Sequence, residues 1–313
     1  MIGGELGEGV SVLVPVYRSK GHLAELADRV GSVLDAAAVP YELVLVDDGS
    51  DDGTWEEVEA LAGGEQPVRG LRLSRNYGQQ NALLAGVRIV GRKRVVTLDD
   101  DLQYRPESIL PLLKAMEDGA DLVYGKAERA RHGAVRGFAT RLSKRLMRIA
   151  TGEPMIASIS ALRLFRTDLR DAFAGFDGPY VSLDALLLWS TNRVAEVQVP
   201  HDARAHGRSG YSVRSLVRLA LTLMVGFSSR PLRAASVLGF ACTALGICLL
   251  AYVLLRYTTE GGSVPGFAFL ASAISIFSGA QLFAIGVIGE YLARMYPRVM
   301  GRPAYSVAER VGD

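Results

Sequence analysis

The sequence has little of what builds disulfide-bonded domains or histidine-based metal centres. Its two cysteines, Cys242 and Cys248, lie in one apolar run, so neither a disulfide framework nor a cysteine zinc site is expected. The four histidines form no His-Glu-x-x-His pair, and neither a Walker A loop nor a Gly-x-Ser-x-Gly elbow is present. The net charge of +2, from 35 basic and 33 acidic residues, argues against a nucleic-acid binder.

Long apolar runs are also absent from the first 230 residues, but two follow. Residues 234–255 contain no charge, and residues 266–289 have Gln281 as their one strongly polar side chain. A helix needs roughly 20 apolar residues to cross a bilayer. The alternative is a pair of buried soluble helices, but two such runs in succession are rare in soluble cores. We therefore expect a transmembrane hairpin at 231–295, with the lipid bilayer as a partner.

The charges that flank these runs predict their orientation. Arginines before the first run and after the second outnumber those in the connecting loop, which holds Arg256 and Glu260. The positive-inside rule then places both chain ends in the cytoplasm, with residues 296–313 as a cytoplasmic tail of a multi-pass inner-membrane protein. Small surfaces for helix contacts leave homo-oligomerisation open, at Gly239, Gly246, Gly279 and Gly286.

The first 230 residues alternate short β-rich runs with helical stretches, the pattern of a mainly parallel α/β sheet. The predicted domain covers 10–209 and follows a flexible N-terminus at 1–9. Strands are expected at 10–17, 41–50, 68–74, 93–101 and 120–127. Ligands of open α/β sheets bind at the carboxyl ends of the strands. Polar residues there should converge on one crevice: Tyr17, Asp47, Asp48, Asp99, Asp100 and Asp101.

Residues 210–230, between this domain and the hairpin, show a different pattern. Arg214 and Arg218 lie one turn apart beside apolar residues in GYSVRSLVRLALTLMVGFSS. This pattern predicts an amphipathic juxtamembrane helix at the membrane interface. An ordinary helix packed on the sheet is the alternative.

The first acidic motif, VDDGSDDGT, nearly matches the spacing of an EF-hand calcium loop. An EF-hand requires a preceding helix, whereas the preceding residues YELVLV favour a strand, so calcium is rejected. Asp47 and Asp48 are interpreted as strand-end carboxylates that accept hydrogen bonds from a nucleotide base or ribose. A plain acidic turn is the alternative.

The second acidic motif, TLDDDLQ, places three like charges on adjacent residues. This arrangement is costly unless a cation or a strongly polar ligand is bound. At a strand end Asp99 and Asp101 share one face while Asp100 points elsewhere. Mg²⁺ or Mn²⁺ would bridge such carboxylates to a diphosphate, and Gln103 could add a neutral oxygen. The alternative is a solvated acidic loop.

Two basic segments offer guanidinium groups, which suit phosphate recognition through paired donors. Two or three of these arginines are expected to be phosphate ligands, and the others to be solvated or bound to lipid headgroups. The candidates are Arg129, Arg131, Arg136, Arg141, Arg204 and Arg208.

Five motifs occur in order along the chain: VPVY, VLVDDGSDDGT, LSRNYGQQNALLAG, TLDDDLQYRPE and HGRSGYSVRSLVRLAL. Together they resemble family 2 glycosyltransferases of the polyprenyl-phosphate branch, over about residues 10–295. The resemblance implies a GT-A fold, which is Rossmann-like, followed by the interfacial helix and the hairpin. It also implies inverting transfer from a UDP- or GDP-sugar to undecaprenyl or dolichyl phosphate, with Mg²⁺ or Mn²⁺.

The resemblance also implies roles for individual residues in binding the donor. Pro15, Tyr17 and Asp48 would hold the nucleoside, and Asp99 would lie beside the ribose or the sugar. Asp101 and Gln103 match the family's metal ligands, and Asp99 is assigned to the same metal. The wider set expected to bind substrate adds Asp47, Arg75 and Asp100.

The acceptor side depends on arginines. The resemblance places Arg129, Arg131, Arg204 and Arg208 near the acceptor phosphate, with Arg131 and Arg204 in catalysis. A phosphate monoester has a second pKa near ~6, so at neutral pH it is already largely a dianionic nucleophile that needs no strong base. The enzyme must instead hold two anionic groups together, through arginines and a metal. Asp184 could assist orientation.

Two positions depart from the family's usual pattern. Asp100 replaces the small residue usual in the middle of Asp-x-Asp, and ISALRLFR differs from the Gly-Asp-Phe-Arg form of several relatives.

One alternative function is a processive polysaccharide synthase, which would need a Gln-x-x-Arg-Trp motif and more membrane spans. A non-catalytic lipid-binding membrane module would not need the acidic residues.

Overall fold

The computed structural model describes residues 7–127, 160–178, 181–200, 230–260, 266–301 and 303–312. These residues belong to two compact units. The first takes its described residues from 7–200 and 300–312, and the second takes its described residues from 230–299. The first unit is therefore built from chain segments on both sides of the apolar hairpin.

The first unit contains an eight-stranded sheet with the order β7-β5-β6-β4-β1-β2-β3-β8. The pairs β1/β2, β1/β4, β2/β3 and β5/β7 are parallel, and the three other pairs are antiparallel. The strands are β1 (Gly7–Val16), β2 (Tyr41–Asp47), β3 (Val68–Leu73), β4 (Arg92–Thr97), β5 (Leu122–Ala127), β6 (Arg163–Arg166), β7 (Val194–Val199) and β8 (Val307–Val311). The predicted mainly parallel α/β sheet is confirmed.

Helices cover both faces of this sheet, because its central strands are apolar on both sides. In β1, Val12 and Val14 pack into one buried cluster while Leu13 packs into the other. The first cluster includes residues of α1 (Leu23–Ala36), α2 (Thr54–Ala62) and α4 (Ile109–Glu117). The second includes residues of α3 (Gln79–Ile89) and α5 (Leu183–Ser190).

The last strand corrects the prediction that residues 296–313 form a tail. Val307–Val311 pairs antiparallel with β3 at the edge of the sheet. The short sequence VAERV has a charged centre and a half-buried or exposed pattern, so its apolar content gives no strand signal. The sheet therefore extends beyond the predicted domain at 10–209.

The second unit contains two long apolar helices, α6 (Arg230–Glu260) and α7 (Phe267–Val299). Within them, Ala235–Val253 and Ile276–Ala293 have mean hydropathies of 2.1 and 1.4, and neither window is buried within the protein. Both are long and apolar enough to cross a bilayer. The amphipathic helix expected at 210–230 falls on residues 210–229, outside the described residues, and on Arg230, which begins α6.

Candidate active site

The two acidic motifs follow β2 and β4, which lie on either side of β1 in the sheet. Strands β4, β1 and β2 are adjacent and parallel, so their carboxyl ends lie at one edge of the sheet. Three connections start there: the β1 loop at 17–22, the first acidic loop at 47–53 and the second acidic loop at 98–105. The β1 loop touches both others, because Arg18 N–H donates to Ser50 Oγ at 3.0 Å and Ser19 Oγ donates to Asp100 Oδ2.

Asp47, the last residue of β2, is fully buried. Its Oδ1 accepts a hydrogen bond from Ser50 N–H at 3.0 Å, and its Oδ2 lies 3.6 Å from Arg72 Nε. Burial raises the pKa of Asp47, while the Ser50 hydrogen bonds and the Arg72 charge oppose that rise. The side chain of Asp47 is turned inward and braces its own loop, and its contact with substrate stays a prediction.

Asp48 is held by the loop between β3 and α3. Tyr77 N–H donates to Oδ1 at 2.7 Å, and Gly78 N–H donates to Oδ2 at 2.8 Å. Gly78 has φ +93°, a conformation that favours glycine, and this aims its amide at the carboxylate. Burial raises the Asp48 pKa and the two amides oppose that rise. Each oxygen retains a lone pair that can accept from a ligand.

The other residues expected at the nucleoside differ in exposure. Pro15 is buried within β1, opposite Val46, whereas Tyr17 is 42% exposed at the strand end. Arg75 is exposed and its guanidinium lies 4.7 Å from the centre of the Tyr77 ring. Tyr17 and Arg75 are thus available to a ligand, and Pro15 shapes the strand beneath them.

The second acidic loop places Asp99 where its negative charge is disfavoured. Burial, and then the charge of Asp101, raise the pKa of Asp99 to about 6, while the Arg163 charge opposes the rise. Gln79 Nε2 donates to Asp99 Oδ1 at 2.7 Å. Asp101 Oδ1 accepts from the Gln103 backbone N–H at 3.2 Å. The charged form of Asp99 is disfavoured here, so a bound cation would stabilise it.

Asp100, whose role the sequence leaves open, also has a partner. Ser19 Oγ donates to its Oδ2, and the same Ser19 Oγ accepts from Tyr17 N–H at 3.2 Å. Burial raises the pKa of Asp100, and the Ser19 hydrogen bond opposes that rise. Asp100 thus fastens the loop that carries Tyr17.

A buried group beneath the second acidic loop was missed from the sequence. Arg163 is 3% exposed, pairs with Asp184 Oδ1 and donates from Nε to Thr97 Oγ1 at 3.0 Å. Tyr124 OH donates to the same Asp184 oxygen at 3.0 Å. Asp184, which the sequence suggests could assist orientation, is buried and pairs with Arg163 and Tyr124. An arginine inside the apolar strand of ISALRLFR was the available signal.

The oxygen donors fit a divalent metal that substrate helps to hold. Within the described part of the chain, no three acidic, histidine or cysteine side chains form a complete metal cluster. Asp99 and Asp101 interact electrostatically, and hard oxygen ligands are what Mg²⁺ and Mn²⁺ prefer. Mg²⁺ usually keeps waters and binds one or two carboxylates plus substrate phosphates. Two carboxylates therefore suffice for such a site.

The arginines expected at the acceptor phosphate belong to two basic segments of the chain. Arg129, Arg131, Arg204 and Arg208, with Arg136 and Arg141, lie outside the described residues. Their contact with the acceptor phosphate stays a prediction.

Comparisons with known proteins show the family to which this fold belongs. Residues 11–171 match the family described as Glycosyl transferase family 2. The chain belongs to this family. It is 35% identical to the undecaprenyl-phosphate 4-deoxy-4-formamido-L-arabinose transferase of Shewanella sediminis over 96% of this chain and 92% of that protein. The enzyme of the same name from Serratia proteamaculans is 35% identical over 97% and 94%.

Solved structures support the fold. Glucosyl-3-phosphoglycerate synthase from Mycobacterium tuberculosis, in complex with Mn²⁺, UDP-glucose and phosphoglyceric acid, matches with a TM-score of 0.53 and 19% identity over 70% of this chain and 79% of that chain. Mannosyl-3-phosphoglycerate synthase from Rubrobacter xylanophilus matches with a TM-score of 0.51 and 19% identity, covering 72% and 75%. The predicted GT-A architecture is confirmed.

Proposed function

We propose that this protein is a membrane-anchored inverting glycosyltransferase that moves a sugar from a UDP- or GDP-sugar to a polyprenyl phosphate. The observation that carries the proposal is similarity over nearly the full length, hairpin included, to enzymes named as undecaprenyl-phosphate sugar transferases. The acidic edge of the sheet supplies the chemistry this reaction requires. The product is a polyprenyl-phosphate-linked monosaccharide.

The donor binds across the two acidic loops. Tyr17, Asp48 and Arg75 bind the nucleoside end, because Tyr17 and Arg75 are exposed and Asp48 is rigidly oriented. Asp99 and Asp101, with Gln103, would hold Mg²⁺ or Mn²⁺, which would supply positive charge for the departing nucleoside diphosphate. The raised pKa of Asp99 and the Mn²⁺ and UDP-glucose in a fold neighbour support this arrangement.

The transfer requires no protein base. An acceptor phosphate oxygen attacks the anomeric carbon, the new carbon–oxygen bond forms, and the bond to the diphosphate breaks with its electron pair leaving on the nucleotide. The acceptor is already largely a dianion at neutral pH. Asp184 is buried against Arg163 and Tyr124, which supports a mechanism without it as a base. Arginines from the basic segments, Arg129, Arg131, Arg204 and Arg208, hold the acceptor phosphate.

The location follows from the chain's path and its charges. Strand β8 lies in the same sheet as β1–β7, although the hairpin separates them in sequence. A chain that leaves this sheet, crosses a bilayer twice and returns has both hairpin ends on one side. The flanking arginines favour the cytoplasmic side of the inner membrane. This is the side on which a nucleotide-sugar donor is available.

The test is transfer of radiolabelled sugar from a panel of UDP- and GDP-sugars to undecaprenyl or dolichyl phosphate, in detergent, with Mg²⁺ or Mn²⁺ and with EDTA. The panel includes nucleotide-linked 4-deoxy-4-formamido-L-arabinose, the sugar in the relatives' name. We expect one lipid-linked monosaccharide, lost with EDTA. A polymeric product would indicate a processive synthase instead. No transfer and no donor hydrolysis by folded protein would favour a non-catalytic lipid-binding module.

A further inference from the structure

The C-terminal strand β8 contacts the elements that hold the donor's nucleoside end in the proposed function. We propose that Glu309 of β8 is a positioning residue for the donor site, acting through Arg72 on the first acidic loop. Donor affinity would then depend on a strand that the chain reaches only after its membrane hairpin. This inference rests on the proposed function, because it takes the nucleoside to lie at the first acidic loop.

The register of the sheet brings the two residues face to face. Glu309 lies directly opposite Arg72 in the antiparallel pair of β8 and β3. Arg72 Nη1 donates to Glu309 Oε1 at 3.0 Å, and Trp55 Nε1 donates to Glu309 Oε2 at 3.2 Å. Both carboxylate oxygens are therefore engaged with β3 and α2, and Glu309 has a defined orientation although its side chain is 48% exposed.

Arg72 extends from Glu309 to the first acidic loop. Its Nε lies 3.6 Å from Asp47 Oδ2, and its Nη2 donates to the Ser50 carbonyl oxygen at 3.4 Å. The guanidinium also lies 5.8 Å from the centre of the Trp55 ring. Arg72 thus contacts both ends of the turn from Asp47 to Ser50. Without Glu309 it would lose its shortest ionic contact, and this long side chain would be free to adopt other rotamers.

The turn that Arg72 braces is linked to the residues expected at the nucleoside. Asp47 is fully buried, and Arg72 is the cation that faces it, so displacement of Arg72 leaves a buried carboxylate poorly compensated. Ser50 Oγ accepts from Arg18 N–H, next to Tyr17. A shift of this turn would therefore move Asp48 and the Tyr17 loop together.

The segment before β8 contacts the loop between β3 and α3, which in turn holds Asp48 of the first acidic loop. Ser74 N–H donates to the Ser306 carbonyl oxygen at 2.9 Å. Ser74 begins the connection whose Tyr77 and Gly78 amides hold Asp48. The C-terminal segment is thus connected to Asp47 by contacts through Arg72, and to Asp48 by contacts through the β3–α3 loop.

The test compares Glu309→Ala with Arg310→Gln in the full-length enzyme. Arg310 is exposed on the same strand, opposite Leu71, and serves as the matched control. We expect Glu309→Ala to raise the donor KM, and the Kd for UDP or GDP measured by calorimetry, by about tenfold, the loss of roughly one charge-assisted hydrogen bond. The kcat and the KM for polyprenyl phosphate should stay within about twofold, and Arg310→Gln should change none of these.

Two further variants separate positioning from simple destabilisation. Glu309→Gln keeps an acceptor for Arg72 and should recover part of the nucleotide affinity. The double variant Glu309→Ala with Arg72→Ala should lose little more affinity than Arg72→Ala alone, because both residues act along one path. Additive losses would overturn the proposal, as would a lower melting temperature with unchanged nucleotide Kd and donor KM.

The binding measurement also separates this inference from the proposed function. Active wild-type enzyme with unaffected nucleotide binding in Glu309→Ala would overturn the inference alone. Wild-type protein that binds neither UDP nor GDP would overturn both. Nucleotide binding that is weakened in Glu309→Ala, in a protein that transfers no sugar to any acceptor, would support the inference and contradict the proposed function.

Discussion

The two acidic loops at the carboxyl edge of the sheet look alike in sequence but differ in how their charges are balanced. In the first, Asp48 receives two backbone amides and Asp47 faces Arg72. In the second, three consecutive carboxylates follow β4, and neighbouring negative charge adds to the rise in the Asp99 pKa. Each carboxylate of the first loop faces donors or a cation of the protein, whereas the second loop carries an excess of negative charge that a cation would offset.

This difference gives the loops different tasks. A preorganised carboxylate whose donors are fixed by the backbone suits recognition of a neutral, hydrogen-bonding nucleoside. A cluster with excess negative charge suits a divalent ion that arrives with a diphosphate. The β1 loop joins the two, through Ser50 on one side and Asp100 on the other.

The largest effect is expected from Asp101→Asn. This change removes a charge from the second acidic loop, and a metal bound there would contribute several kcal/mol to stabilising the transition state. Transfer should fall by at least about 100-fold while the protein remains membrane-inserted. Sugar-transfer assays on purified protein, with detergent extraction and a melting temperature as controls, check this. Full activity would contradict the metal assignment.

Asp48→Asn should break the balance of the first loop. The asparagine amide can accept from only one of the Tyr77 and Gly78 amides, and its NH₂ group opposes the other. An unsatisfied buried group costs about 1–3 kcal/mol, so the donor KM should rise by about tenfold or more.

The matched control for Asp48→Asn is Asp51→Asn in the same loop. Asp51 is exposed and pairs with Arg18 at the surface, where ion pairs contribute little. The donor KM of the Asp51→Asn variant should stay near the wild-type value. Equal effects of the two substitutions would show that the first loop is not balanced from within.

Metal binding should depend on pH through Asp99. Its pKa is raised to about 6, so the metal-free side chain is protonated below that pH and must lose a proton to bind a cation. Apparent Mn²⁺ affinity should therefore fall about tenfold from pH 7 to pH 5. Calorimetry at each pH measures it, and Asp99→Asn should flatten the dependence. If the Mn²⁺ affinity of the wild-type protein did not depend on pH in this range, the predicted role of Asp99 would be contradicted.

The smallest effect is expected from Ser19→Ala. This variant loses the hydroxyl between Tyr17 N–H and Asp100, a net contribution of about 1 kcal/mol. The donor KM should rise about fivefold with kcat unchanged. Ser19→Thr, which keeps a hydroxyl, should be closer to wild type. A fall in kcat alone would place Asp100 with the metal ligands instead.

The sequence predicts the strands that carry the candidate site where the signal is local. Apolar runs locate β1, β2 and β4, acidic residues follow β2 and β4, and the parallel pairing of the three strands brings their ends to one edge. The burial of Asp47 could not be predicted, because it depends on Arg72 from another strand. The same holds for the Arg163 and Asp184 pair, which joins β6 to α5. Strand β8 is short and charged, and the apolar hairpin lies between it and its partner β3 in the sequence.

The most direct test of the difference between the loops is Mn²⁺ binding in the presence of UDP or GDP, measured by electron paramagnetic resonance on full-length protein in detergent. We predict that wild type and Asp51→Asn bind one tight Mn²⁺ ion and that Asp101→Asn loses it, with the melting temperature unchanged. Tight Mn²⁺ binding that persists in Asp101→Asn would contradict the assignment of the second acidic loop as the cation site.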